Sequence, residues 1–221
     1  MRLRLAALIT LALGIFLVPL SADAQRARSM HRIGYLSVTS AANGLPNLEA
    51  LRAGLREFGY MEGQNITIEA RWADGRIERL PQLAAELVRL RVDVLCTAGG
   101  QASGASQQAT STIPIVFANV AFPIQSGLVA SYPRPGGNIT GVAFIGPEYG
   151  KRLELLKEAS PKLSRVALIY NPDNIGSGLA LQETQRWTTA LGIMLEPHEF
   201  RSPQDFERVF KRSPRSGLMR S

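Results

Sequence analysis

Cysteine and histidine are scarce in this chain: 221 residues hold one cysteine, Cys96, and two histidines, His31 and His198. One cysteine excludes an intrachain disulfide framework. Cys96 ends the run Val92-Asp93-Val94-Leu95-Cys96 and reads as a small buried hydrophobe, not a reactive thiol. The histidines have no partner at ligand spacing, so neither a metal site nor a cofactor is expected.

Catalytic fingerprints are lacking too. A dinucleotide enzyme would carry G-x-G-x-x-G after its first strand, and Gly34-Tyr35-Leu36-Ser37 is not that. A serine hydrolase would need G-x-S-x-G with a later histidine, and Ser103-Gly104-Ala105-Ser106 does not have that form. An α/β enzyme is therefore the weaker reading. A basic face is also missing, despite a formal charge of +7. Arg2 and Arg4 against Asp23 account for one of these charges, and Lys211, Arg212, Arg215 and Arg220 for four. Residues 25–210 are left at +2, so no nucleic-acid partner is expected.

The one long apolar run, Leu5 to Leu20, falls short of the roughly 18–20 residues that a spanning helix needs. It follows Arg2 and Arg4 and precedes Ala22-Asp23-Ala24, the small-x-small pattern of a cleavage site. Residues 1–24 read as a signal peptide, with Gln25 as the mature N-terminus and a periplasmic location for the product.

Strand-like and helix-like segments then alternate. Ile33 to Val38 reads as a buried strand, and Leu48, Leu51, Leu55 and Phe58 fall on one helical face closed by Gly59. Ile66, Ile68, Ala70 and Trp72 alternate as in a half-exposed strand, and Leu80, Leu83, Leu87 and Leu90 repeat at helical spacing. Strands follow at Val92 to Cys96, Ile113 to Ala118 and Ile139 to Ala143, with a polar helix around Gln101 to Thr110. This order implies a largely parallel sheet covered on both faces. The pattern restarts with a helix near Lys151 to Ala159, a strand at Val166 to Tyr170, a helix from Leu179 to Leu191 and a strand from Ile193. Ser202-Pro203-Gln204-Asp205 reads as a further helix start. The expected units are an N-terminal α/β lobe at 31–145 and a partial C-terminal lobe at 146–210. The tail at 211–221 lacks apolar periodicity and is expected to be out of frame.

Several motifs, in order, carry a family resemblance. Arg32-Ile33-Gly34-Tyr35-Leu36-Ser37 is followed by Leu51-Arg52-Ala53-Gly54-Leu55-Arg56-Glu57-Phe58-Gly59-Tyr60 and by Glu62-Gly63-Gln64-Asn65. Then come Ala109-Thr110-Ser111-Thr112-Ile113-Pro114-Ile115-Val116-Phe117 and Arg134-Pro135-Gly136-Gly137-Asn138-Ile139-Thr140-Gly141. From Arg32 to about Phe210 the chain resembles the substrate-binding proteins of ABC transporters, in the family related to tryptophan/tyrosine uptake. The resemblance implies a type I periplasmic-binding-protein architecture, with two lobes of parallel sheet flanked by helices and the second lobe incomplete. It implies a small-molecule ligand, such as an amino acid, held between the lobes and delivered to an ABC permease. A periplasmic sensor presenting solute to a membrane receptor is the alternative, as is a truncated product without function.

Ligands of parallel α/β sheets bind outside the carboxyl ends of strands, where exit loops meet helix N-termini. The candidates are Ser37 and Thr39 after the first strand, Thr97, Gly99, Gly100 and Gln101 after the third, and Asn119 and Phe122 after the fourth. Asn171 and Asp173 would approach from the second lobe. Gly99 and Gly100 would let backbone N–H groups approach a carboxylate. The family often has Asp-Pro after the fourth strand where this chain has Phe122-Pro123. An acidic partner for a ligand amine is then missing, and Phe122 either stacks on an aromatic ligand or packs.

Overall fold

The computed structural model describes residues 30–143, 149–201 and 205. The segment read as a signal peptide, the start of the helix read at Ser202 and the tail lie outside the described residues. The first unit runs β1 (His31–Ser37), α1 (Ala41–Glu57), β2 (Ile66–Trp72), α2 (Leu80–Arg89), β3 (Val94–Ala98), α3 (Gly100–Ala109), β4 (Ile115–Val120) and β5 (Ile139–Ala143). Its five strands lie in the order β2-β1-β3-β4-β5, and every neighbouring pair is parallel. The second unit comprises α4 (Tyr149–Ala159), β6 (Arg165–Tyr170), α5 (Ile175–Ala190) and β7 (Met194–Glu199), with β6 and β7 parallel.

Leucine spacing builds the main core. Leu80, Leu83 and Leu87 form the buried stripe of α2, with Pro81 in its first turn, where its missing N–H costs nothing. They pack with Leu36, Leu95 and Ile115 on one face of the sheet. Alternation sends Tyr35 to the opposite face, where its ring lies 5.2 Å from that of Trp72. Gly44 of α1 meets Trp72 there: a Cβ on Gly44 would sit 2.2 Å from the indole.

The sheet is not covered across its whole width. On the Tyr35 face α1 meets β2 through Gly44 and Trp72, and the outward residues Val116 of β4 and Val142 of β5 are 41% and 73% exposed. One helix cannot span five strands, so among the described residues that face stays open beyond β3. Two further readings shift. Helix α1 begins at Ala41, well before Leu48, because the Ser40 hydroxyl accepts the Asn43 N–H at 3.4 Å. Phe58, expected on the buried face of α1, is 80% exposed because it is the C-cap residue, where helical periodicity has ended.

At the amino ends of the strands, side chains tie the loops together. The Asn138 amide donates to the carbonyls of Thr110 at 3.1 Å and Ile113 at 2.8 Å, and Asn65 donates to Gly59 while accepting the Met61 N–H. Gly141 packs so close to β4 that a Cβ there would lie 2.0 Å from the Phe117 carbonyl oxygen.

Candidate functional site

The carboxyl ends of β3 and β4 meet the start of α5 around a cleft of about 610 Å³, a volume suited to a small organic molecule. The first unit contributes the Gly99–Gln101 turn, Asn119, Ala121 and one side of α3, and the second contributes Tyr149 and residues 173–177. The two units approach closely here. A Cβ on Gly176 would lie 3.9 Å from the Ala121 carbonyl oxygen.

Gly99 is the cap of α3 and holds φ at +90°, a conformation that side-chain-bearing residues rarely adopt. Nothing lies within 4 Å of a Cβ built on it, so its missing side chain faces open space. No side chain caps α3. Its first-turn N–H groups have no carbonyl within the helix to meet, and they carry the positive end of the helix dipole. The start of α5 differs: the Asn174 side chain accepts the Gly176 N–H at 2.9 Å, and the Asn174 carbonyl takes the Ser177 N–H. Of these two helix starts, α3 is the open one.

Strain gathers at the exit of β4. Asn119 and Phe122 hold φ at +57° and +55°, and the register of β4 shifts between Ala118 and Val120. Asn119 tolerates this conformation better than most residues, whereas phenylalanine is costly there. The Phe122 ring is nearly parallel to that of Tyr149, at an angle of 13° with centroids 6.2 Å apart. Among the described lining residues, Asp173 is the one charged side chain, and its carboxylate pairs with Arg201 at 3.4 Å.

Of the residues expected at the site, Gly99, Gly100, Gln101, Asn119 and Asp173 line the cleft, while Ser37, Thr39, Thr97, Phe122 and Asn171 do not. Ser37 is buried, and its hydroxyl pairs with that of Thr39 at 3.0 Å. Thr97 is buried and spends its hydroxyl on Ser103 at 2.8 Å, while Ser103 donates to the Gly99 carbonyl at 2.8 Å. Both threonine and serine thus brace the Gly99 turn from behind. The Asn171 side chain accepts the Asp173 N–H at 2.9 Å and shapes the turn that carries the acid. Tyr149 and Asn174 were missed as lining residues. The sequence reading starts α4 at Lys151 and gives Asn174 no role, although an Asn just before a helical stretch is itself a cap signal.

Cys96 is half-buried, and desolvation pushes its thiol up to about 11. Among the described residues, no group of three or more His, Cys, Asp or Glu side chains is placed to hold a metal ion. No helix among them is long and apolar enough to cross a membrane.

Parallel sheets flanked by helices, with a cleft at their carboxyl ends, define the two-lobed α/β class of solute-binding proteins. Residues 41–217 match the family model described as ABC transporter substrate binding protein, and the chain belongs to that family. The family is one of solute binding and not of catalysis. The chain is 31% identical to a tyrosine-binding protein of Clostridioides difficile over 137 residues, 60% of this chain and 39% of that protein. A conserved domain protein from Vibrio cholerae superposes with a TM-score of 0.76 at 26% identity, covering 81% of this chain and 60% of that one. An ABC domain from Streptococcus pneumonia in complex with L-Trp gives a TM-score of 0.73 at 24% identity, covering 80% of this chain and 59% of that one. The chain thus spans 39% of the curated relative and about 60% of these two solved structures.

Proposed function

We propose that this chain is the extracytoplasmic solute-binding component of an ABC importer. It captures a small carboxylated organic ligand between its lobes and presents it to a membrane permease. One observation carries the reading: an uncapped helix N-terminus, opened by Gly99 and Gly100, faces a cleft walled by both units. The ligand carboxylate would take the N–H groups of Gly100 and Gln101. Each favourable anion contact at such a terminus is worth about 0.3–1 kcal/mol, and more when partly buried. The tyrosine-binding and L-Trp-bound relatives support an aromatic amino acid or a related acid as cargo. Arg2, Arg4, the apolar run and Ala22-Asp23-Ala24 support export before the protein works.

Capture proceeds by lobe closure. Ligand held at α3 meets residues 173–177 only when the lobes approach, so it stabilises the closed form by its differential affinity for that form. A permease then recognises the closed shape. No covalent step is involved.

Calorimetric titration of the chain and its Gly99→Val variant against a panel of amino acids and carboxylates tests the reading. A branched side chain at φ +90° is strained and projects into the open space that the anion would use. The variant is expected to lose binding while keeping the circular dichroism of the wild type. Equal affinities, with both proteins folded, would place the site elsewhere.

A further inference from the structure

Among the described residues, two helices cover one face of the first sheet and one helix meets the other. On the Leu36 face α2 and α3 pack side by side, with Leu83, Leu87 and Ala102 in the core. On the Tyr35 face α1 meets Trp72 through Gly44. Five strands about 4.8 Å apart span roughly 19 Å, and a helix with its side chains is about 10–12 Å across, so the open half has the width of one more helix. Strand register lays that half out. Cys96 stands beside Val116 and Val116 beside Thr140, with Ala98, Ala118 and Val142 in the next row. None of the six carries a charge, and the four on β4 and β5 are exposed. Helix α1 has a matching side that its own sheet does not use. Its buried residues are Gly44 and Leu48, and at about 100° per residue Ala42, Pro46, Ala50 and Ala53 fall on the opposite side, the first three of them exposed. Glu49, beside this stripe, is already paired with Arg52. With 17 residues α1 is about 25 Å long, enough to span a strand of six residues, about 20 Å.

We propose that the open half of the sheet is a self-association surface and that its occupant is α1 of a second copy, seated reciprocally about a two-fold axis that runs along the strands. Each copy then gives one helix and receives one, which closes the assembly at two. The two α1 helices lie side by side between the sheets. Each turns Gly44 and Leu48 to its own sheet and the Ala42-Pro46-Ala50 side to Val116, Ala118 and Val142 of the other copy. Small residues on that side let the helix settle close to the strands, and the contact removes exposed valine from water. Charge favours this surface over the rest: the chain is positive overall, so two copies repel where charge is carried, and the open half carries none. The inference does not depend on the cleft reading.

Analytical ultracentrifugation of the full chain and of its Val142→Asp and Ala50→Glu variants tests this, with circular dichroism recorded for each. Both positions are exposed in the single copy, so neither substitution disturbs its core. The wild type is expected to sediment as a dimer with a Kd of roughly micromolar order. Each variant should dimerise at least about tenfold more weakly, because it would bury an unpaired carboxylate between apolar surfaces. Ala50→Glu is the discriminating variant, since Ala50 lies on the helix that is given and not on the face that receives it. It also decides the matter if Val142→Asp fails to fold. A wild type that stays monomeric at about 100 µM overturns the proposal. So does growth past two copies, which a closed pair forbids. Association weakened by Val142→Asp and untouched by Ala50→Glu would give the face another occupant and overturns it too. A dimer that survives both substitutions, held through the apolar run Leu5–Leu20 or any other part of the chain, does the same.

Discussion

Cys96 shows how one side chain's surroundings decide its chemistry. Its thiol lies on β3 among apolar neighbours, and desolvation raises its pKa from an ordinary 9.0 to about 11. The folded state therefore keeps the proton to higher pH than the unfolded chain does. The resulting stabilisation is full below about pH 9 and is lost as pH rises through 11, a contribution of roughly 3 kcal/mol at most. The same shift suppresses the thiolate, the reactive species. Labelling with iodoacetamide at pH 8 should be about a hundredfold slower in the native protein than in urea-unfolded chain. Native labelling at the unfolded rate would show that the thiol is neither buried nor shifted. The neighbouring hydroxyls teach a related lesson. Ser37 and Thr97 stand at strand exits, where ligand-binding residues are expected, yet both spend their hydroxyls on internal partners. Residue type and position pointed to contact. The buried hydrogen bonds, which no sequence pattern displays, assign these groups to bracing the turn.

At the scale of elements, the strands were the most legible. Parallel strands read as short apolar runs, and β5 falls at Ile139–Ala143 as its run predicts, although one of its faces is open; β3 and β4 each lie two residues later than their runs suggest. The start of α1 was hidden, because Gly44 and Pro46 look like turn residues and only the Ser40 cap reveals a helix beneath them. The family motifs divide by the end of the sheet at which they lie. Asn65 and Asn138 belong to two of the motifs that carried the resemblance, and both clamp loops at the amino ends of strands, away from the cleft. Those motifs record how the fold is held together and say little about the ligand. Asn138→Ala should accordingly lower stability by about 1–3 kcal/mol, since two backbone carbonyls lose their donor. Urea denaturation measures the loss, and ligand affinity should stay within twofold of wild type. A stable variant with impaired binding would mean that the clamp serves the site and not the fold. The site itself was legible where backbone freedom leaves a sequence trace, as at Gly99-Gly100 after a strand. It was illegible at Tyr149, a lone tyrosine that lines the cleft beside Phe122 of the other unit.

At the scale of the whole molecule, one asymmetry separates the helix ends at the cleft. Of the helices that begin at the cleft, α5 is closed by its own Asn174 and α3 is left open by glycine. Charge does not compete with this arrangement: the cleft's acid, Asp173, is already paired with Arg201, and no lysine or arginine stands among the described lining residues. On the proposed reading, an anion entering the cleft would be met first by the backbone of α3. The measurement that tests this most directly is an amide chemical-shift map of the isotope-labelled chain, titrated with benzoate and with L-tryptophan. The account predicts that the largest shifts fall on the amides of Gly100 and Gln101, followed by residues 173–177 as the second unit closes on the ligand. Shifts confined to another surface, such as the recess beside Arg71 and Arg79 at the edge of the sheet, with Gly100 and Gln101 unmoved, would contradict it.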